Sequence, residues 1–477
     1  MFYREEKVRK NTAQRSAAKA LSMLLIVISM CALPLGTAAG YEINTVSYDP
    51  QHSGQSNYST ASNYGSLVWT FVAENSGVSI LDNWFFKRPL VMGANDTILF
   101  TDNGTLYGIK KGELAWQYQV VDRSEVGSLG LSPPFVSDNG TIYIGGHDGY
   151  LHALDPDGQL LWKYNASAFI DSTPVVGRNG TVYVATTLGS SDGEAGERYY
   201  LHAVNPNGTL QWMVETGPCD DSALVLSPNG TVYLVSGSKL EGWGDPAHYL
   251  YSIAPNGTVN WVHPLGDMSF LPPAVGNDGT VYLLTDEDLD GDESVLVTVR
   301  QDGSEGWRLD VRSVEPDYDG FYGTSPAVAS NGTSYFGFGD GICAVGPNGT
   351  VKWIYNIENG MVSTPAISKE GTIIFGTIGE YEDDQGNYGY VVALNPDGSL
   401  KWRVRTTAEP LSSVAIGTDG TIYIAAGGEV YALNGGVSSD VRAILSVGVA
   451  LTMTVVLVAS AMTFYLGWKR RKRGSDL

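Results

Sequence analysis

The sequence predicts an all-β protein, an eight-bladed β-propeller closed by an N-terminal strand. Three observations lead there. A unit of four short strands is visible in Ser132–Tyr164. That unit recurs with a period of roughly 40–50 residues, the range of propeller blades. The last copy lacks its fourth strand, and an unmatched strand of that type sits ahead of the first copy.

Within Ser132–Tyr164 the chain reads as Ser132–Asp138, a turn at Asn139-Gly140, Thr141–Gly146, a turn at His147-Asp148-Gly149, Tyr150–Asp155, a turn at Pro156-Asp157-Gly158, and Gln159–Tyr164. β-Branched and aromatic runs bounded by Gly, Pro, Asn and Asp are the hairpin signal. Proline presets φ and glycine supplies a positive φ in such turns. Asn-Gly is also the favoured pair of a two-residue hairpin turn, which accounts for most Asn-Gly-Thr sequons without invoking glycans. Asn57 and Asn165 lie outside that pattern and are the better glycan candidates.

The threonine opening each second strand recurs at Thr97, Thr141, Thr181, Thr231, Thr280, Thr333, Thr372 and Thr421. The fourth-strand tryptophan recurs at Trp116, Trp162, Trp212, Trp261, Trp307, Trp353 and Trp402. The last copy, Leu411–Asn434, stops after three strands, while Ser66–Phe71 carries the orphan Trp69. Open strand edges invite aggregation, so the N-terminal strand is expected to complete the C-terminal blade.

Residues 1–40 read as a signal peptide. They run from a basic stretch through apolar Ala20–Gly36 to small residues at Thr37-Ala38-Ala39. Residues 41–65 form an N-terminal extension, 66–434 the propeller and 435–442 a linker. Residues 443–468 are long and apolar enough for a transmembrane helix, and 469–477 form a basic tail. The positive tail predicts a cytoplasmic C-terminus with the propeller outside the cell membrane. The chain's net charge of −22, with eleven of the 29 Lys and Arg in the leader and tail, argues against nucleic acid as a natural partner.

Topology orients the ring. First-to-second and third-to-fourth turns share one face, here termed the turn face. Second-to-third loops and fourth-to-first connections share the other, the loop face. The chain leaves after a third strand, on the turn face, and the short linker keeps that face toward the membrane. The loop face then looks outward. It carries the insertions Gly189–Tyr199, Ser236–His248, Asp286–Glu293 and Gly379–Tyr388.

Two candidate sites lie on the loop face. Asp286, Asp288, Asp290 and Asp292 alternate ahead of Glu293, with Gly291 at the turn, like the first half of a calcium loop. Val297 stands where the closing glutamate belongs, so a solvated acidic loop is the alternative. The leads into the first strands place Trp84, Phe169, Asp171, Asp221, Phe270, Phe321 and Tyr322 at the channel mouth. Aromatic rings among carboxylates suit a protein, a glycan or a cationic group, or simply pack blade on blade. His152 and His202 hold equivalent strand positions and read as generic, and His147 has no Cys or His partner at metal spacing.

The stretch Ala153-Leu154-Asp155-Pro156-Asp157-Gly158-Gln159-Leu160-Leu161-Trp162 resembles the PQQ-like β-propeller repeat, as do Ala203–Trp212 and Ala393–Trp402. The lead-in Tyr48–Gly54 resembles that of surface proteins with such repeats. The family includes quinoprotein dehydrogenases and the propeller lipoprotein of outer-membrane β-barrel assembly. The dehydrogenases place two adjacent cysteines beside the quinone. Here mature Cys219 and Cys343 fall in different blades, so PQQ is not expected, and Ca²⁺ is the one cofactor the loop suggests. The first reading is therefore a membrane-anchored, outward-facing module that binds or scaffolds a protein or glycan at the cell envelope, without catalysis. A quinone- or metal-dependent dehydrogenase and a glycan-active surface protein are the alternatives.

Overall fold

A computed structural model describes residues 49, 51–72, 89–102, 104–122, 130–186, 199–217, 219, 224–237, 248–265, 271–286, 294–315, 323–339, 341–357, 361–378, 388–406, 409–410, 412–426 and 429–435. The expected signal peptide, transmembrane helix and tail lie outside these residues. Among those described, no helix is long and apolar enough to cross a membrane.

The chain forms eight four-stranded antiparallel sheets, an eight-bladed propeller. Seven blades take four consecutive strands each, from Val91–Gln119 in blade 1 to Ala366–Thr406 in blade 7. Blade 8 takes Ala415–Ile416, Ile422–Ala426 and Glu429–Asn434. Its outer strand is Ser66–Val72, paired antiparallel with Glu429–Asn434 and bulged between Leu67 and Trp69.

First strands are shorter than the sequence pattern suggests: Phe135–Val136 stands for Ser132–Asp138. Prolines cut them back, because proline brings no N–H to a ladder. Pro134, Pro174, Pro273, Pro326 and Pro365 precede these strands directly. A hydroxyl replaces the lost pairing. Ser132 Oγ accepts from Gly145 N at 2.8 Å, Thr324 Oγ1 from Gly337 N at 2.8 Å and Ser363 Oγ from Gly376 N at 2.9 Å.

The Asn-Gly turns also differ from the expected two-residue form. Ser137 N donates to Thr141 O at 2.9 Å and Gly140 N to Ser137 O at 2.7 Å. Gly140 sits at φ +86° and Asn139 is not left-handed. This is a three-residue loop, a turn followed by a glycine bulge. Asparagine is there for its side chain: Asn139 Oδ1 accepts from Thr141 N at 3.0 Å. Asn179, Asn229, Asp278, Asn331 and Asp419 do the same for the following threonines.

Apolar packing runs from blade to blade. Tyr143 and Leu151 of blade 2 share a cluster with Val182 and Leu201 of blade 3. Tyr423 and Val430 of blade 8 share one with Met92, Ile98 and Phe100 of blade 1. On the turn face, five of the described tryptophans reach the next blade's third-to-fourth turn. Trp162 Nε1 donates to Pro206 O at 2.9 Å, Trp212 to Pro255 O at 3.0 Å and Trp353 to Pro396 O at 2.9 Å. The indole lies over the turn glycine, where a Cβ at Gly208 would stand 2.8 Å from Trp162.

The N-terminal extension runs along the inner wall of the ring. Val275 N of blade 5 donates to Gln51 O at 2.9 Å, and Val328 N of blade 6 to Ser53 O at 2.6 Å. In blade 7, Ile367 N donates to Gly54 O and Ser56 N to Ile367 O, both at 2.7 Å. These first strands line the axis, and their free edges take the segment as a strap. Its own His52, Ser56 and Thr60 are buried. The strap then turns outward between blades 7 and 8, where Asn63 Nδ2 donates to Gly420 O and to Leu433 O, both at 2.9 Å.

Candidate functional site

The loop face of blades 2 and 3 gathers the polar residues of interest. His147 lies in the second-to-third turn of blade 2, between Ile142–Gly145 and Tyr150–Leu154. Phe169 and Asp171 lie in the connection from Leu160–Asn165 to Val175–Val176 of blade 3. The topology brings turn and connection together. Ala166 N donates to Gly149 O at 2.9 Å, and a Cβ on Gly145 would collide with Ile170.

At this meeting point His147 Nε2 and Asp171 Oδ1 are 2.6 Å apart. The imidazole stacks on Phe169 with centroids 4.3 Å apart and planes 4° apart. His147 and Asp171 keep 15% and 20% of their side-chain surface, so the cluster is reachable from solvent. A second network backs it. His152 is wholly buried, with Nδ1 3.0 Å from Tyr118 Oη and Nε2 2.9 Å from Asp148 Oδ2. Asp148 accepts from Nε2–H in this arrangement, so Nδ1 accepts from the Tyr118 hydroxyl. Burial lowers the His152 pKa against the pull of Asp148, keeping the ring neutral. Burial and the Asp148 charge raise the Tyr118 pKa.

Blade 3 repeats half of this pattern. His202 Nδ1 is 2.9 Å from Tyr164 Oη, while buried Nε2 has no partner among the described residues. Its pKa is lowered to about 4 by burial. The histidines therefore carry specific hydrogen bonds from blade to blade and are not interchangeable strand fillers.

Of the residues predicted at the channel mouth, Phe169 and Asp171 come together. Trp84, Asp221, Phe270, Phe321 and Tyr322 lie outside the described residues. Sequence reasoning missed His147, Asp148 and Tyr118. Only the rule placing second-to-third turns and fourth-to-first connections on one face could have joined His147 to Asp171. Asp171 holds the imidazole parallel to Phe169, which makes a rigid, half-exposed aromatic pair beside a carboxylate. Such a surface suits recognition of planar or cationic groups.

Asp286 ends the second strand of blade 5 with its backbone opposite Ser294, and Asp288, Asp290 and Asp292 fall outside the described residues. Among the described residues no group of three or more His, Cys, Asp or Glu is placed to hold a metal. The cysteines do not fit a quinone centre built on an adjacent pair. Cys219 is buried in the connection leading into blade 4, and Cys343 is buried in the third strand of blade 6. Burial pushes the Cys343 thiol up to about 12, which suits a packed thiol.

The family model described as outer membrane protein assembly factor BamB matches residues 53–198, 102–238 and 197–377. No curated protein matches the chain. Among solved structures, BamB from Moraxella catarrhalis is similar at 14% identity and TM-score 0.52, over 78% of this chain and 99% of that one. A europium-containing methanol dehydrogenase is similar at 14% identity and TM-score 0.57, over 81% of this chain and 89% of that one. At that identity the likeness concerns the fold alone.

Proposed function

We propose, given that the chain belongs to the PQQ-like propeller family whose model bears the BamB description, that it is a membrane-anchored scaffold holding a protein partner on its loop face at the cell envelope. The observation that carries this reading is the stacked His147–Phe169 pair fixed by Asp171. Aromatic anchors that a partner can desolvate are frequent centres of binding energy, and this pair is partly exposed beside a carboxylate. Orientation supports it. The last strand of blade 8 ends at Asn434 on the turn face, and the outgoing strap crosses there, with Asn63 bonded to Leu433 O. A C-terminal helix beginning near 443 would hold that face to the membrane and leave the loop face outward. The acidic loop Asp286–Asp292 is a second feature of the same face, with calcium as its proposed occupant.

The test is site-specific photo-crosslinking in cells. A crosslinker at position 169 should trap a discrete partner. The yield should fall when His147→Ala removes the stack, and a crosslinker at Asp157, on the turn face, should not trap that partner. Equal capture from both positions, or capture indifferent to His147→Ala, would overturn the reading. An epitope tag after Leu477 should become accessible only when the membrane is permeabilised.

A further inference from the structure

The junction between blades 5 and 6 departs from the packing found in blades 3, 6 and 7. In blades 3, 6 and 7 the residue ahead of the tryptophan folds over the threonine that opens the second strand. Lys352 Nζ donates to Thr333 Oγ1 at 2.6 Å and Lys401 Nζ to Thr372 Oγ1 at 3.0 Å. In blade 3, Thr181 Oγ1 donates to Gln211 Oε1 at 3.2 Å. In blade 5 this position is Gly306, so Thr280 has no such cover.

Thr298 imposes the glycine. It stands where blades 2, 3, 6 and 7 have Ala153, Ala203, Ala344 and Ala393, each opposite its blade's tryptophan. Thr298 Oγ1 accepts from Trp307 N at 2.8 Å and donates to Trp307 O at 3.0 Å. A Cβ at position 306 would come within 2.4 Å of that oxygen. The aromatic pair opens as well. Tyr282 and Trp307 meet at 69° with centroids 6.1 Å apart. Five corresponding Tyr–Trp pairs meet between 36° and 50°, at 5.7–5.8 Å.

The result is a cavity of about 390 Å³ on the turn face. Thr280, Tyr282, Trp307, Asp278, Arg300 and Asn331 line it. Its size is that of a small-ligand site.

We propose that this cavity binds a single neutral pyranose ring. The partly exposed Trp307 provides the aromatic wall on which the C–H face of a sugar packs, with buried Tyr282 behind it. Asp278, Arg300, Thr280 and Asn331 supply the mixed donors and acceptors that hydroxyl groups need. The lining carries one positive and one negative side chain, so an anion would meet Asp278 and a cation Arg300. A neutral, hydroxyl-rich ring satisfies both. Arg300 is held in place by Nη1 bonds to Ser304 Oγ at 3.3 Å and to Glu305 O at 2.5 Å. The site is on the face opposite the His147 cluster and does not depend on it.

The experiment uses the full chain in a zwitterionic detergent that has no sugar headgroup. Saturation-transfer NMR is recorded with the methyl pyranosides of glucose, galactose, mannose and N-acetylglucosamine, with inorganic phosphate and acetate competing. At least one pyranoside should show saturable transfer at millimolar concentration, undisturbed by either anion. The double variant Thr298→Ala/Gly306→Lys rebuilds the packing of blade 7, so it should abolish transfer while leaving the melting temperature unchanged. Arg300→Asn, the residue blade 7 carries at Asn395, should weaken binding about tenfold and provides the answer if the double variant fails to fold. No saturable transfer from any of the four pyranosides would overturn the proposal. So would transfer undiminished in the variants, or displacement by phosphate or acetate.

Discussion

Trp402 Nε1 donates to the carbonyl of Asn63 at 2.9 Å, across 339 residues of sequence. Trp162, Trp212, Trp261, Trp307 and Trp353 give that bond to the next blade's own third-to-fourth turn. Blade 8 has no such turn, because its fourth strand comes from the other end of the chain. Asn63-Tyr64-Gly65 stands in for it, with Gly65 at φ +77° under the Trp402 ring. Likewise Gly420 packs on Ser59, where Gly180 and Gly371 pack on Pro206 and Pro396. The N-terminal extension thus supplies a surrogate turn just ahead of the closing strand Ser66–Val72.

Deleting Ser66–Val72 should leave Glu429–Asn434 as an open edge beside buried Tyr431 and Val430. The expected outcome is aggregation or loss of cooperative unfolding, read by size-exclusion chromatography and thermal melting. A monomer with unchanged melting would show that the ring holds without this strand.

Asn63→Ala should destabilise the fold by about 2–3 kcal/mol, because it leaves two carbonyls at a buried position without their donor. Asn57→Ala, at an exposed position of the same extension, should change stability by less than about 0.5 kcal/mol. Chemical denaturation of the two variants side by side makes the comparison. Equal effects would mean that the surrogate turn contributes nothing specific.

Acid should weaken the fold partly through His202. Its folded pKa is lowered to about 4 by burial, below the ordinary 6.5 of an exposed histidine. The neutral ring therefore contributes stability in full above about pH 6.5. That contribution is lost as pH falls toward 4, on the order of 3 kcal/mol over the whole window. His202→Gln removes the titration, so the difference in stability between wild type and variant should shrink between those limits. Asp49 is raised to about 6 by burial and acts in the opposite sense, adding stability as pH falls from 6 toward 3.8. It is common to both proteins and cancels from the difference. A pH-independent difference would count against the assignment.

Calcium should raise the melting temperature through Asp286–Asp292. Alternating aspartates repel one another, and a divalent ion relieves that repulsion. Without the closing bidentate glutamate the affinity should be on the order of 10⁻⁴–10⁻³ M. The stabilisation at tenfold excess should be about 1–2 kcal/mol. Asp288→Ala/Asp290→Ala should abolish the calcium-dependent shift. An identical response in both proteins would make the loop a solvated insertion.

The blade pattern was legible in the sequence because it is local. Alternation, turn glycines and the recurring threonine and tryptophan are set within a few residues of one another. The incomplete last copy was legible for the same reason: a missing strand is a break in a repeat. The order of residues within each blade also implied which connections share a face. Other features could not be read locally. Nothing near His147 points to Asp171, because their contact exists only once two blades stand side by side. The extension at Asp49–Gly65 has no strand pattern of its own. It borrows its hydrogen bonds from the edges of Ala274–Val275, Ala327–Val328 and Ala366–Ile367, and those edges converge only around the ring axis. Gly306 reads in sequence as one more glycine. Only the packing of Thr298 and Trp307 against the next blade turns it into a cavity. Local chemistry dictated the blades and revealed the missing strand, while strap and cavity arose from surfaces that meet only after the blades have formed.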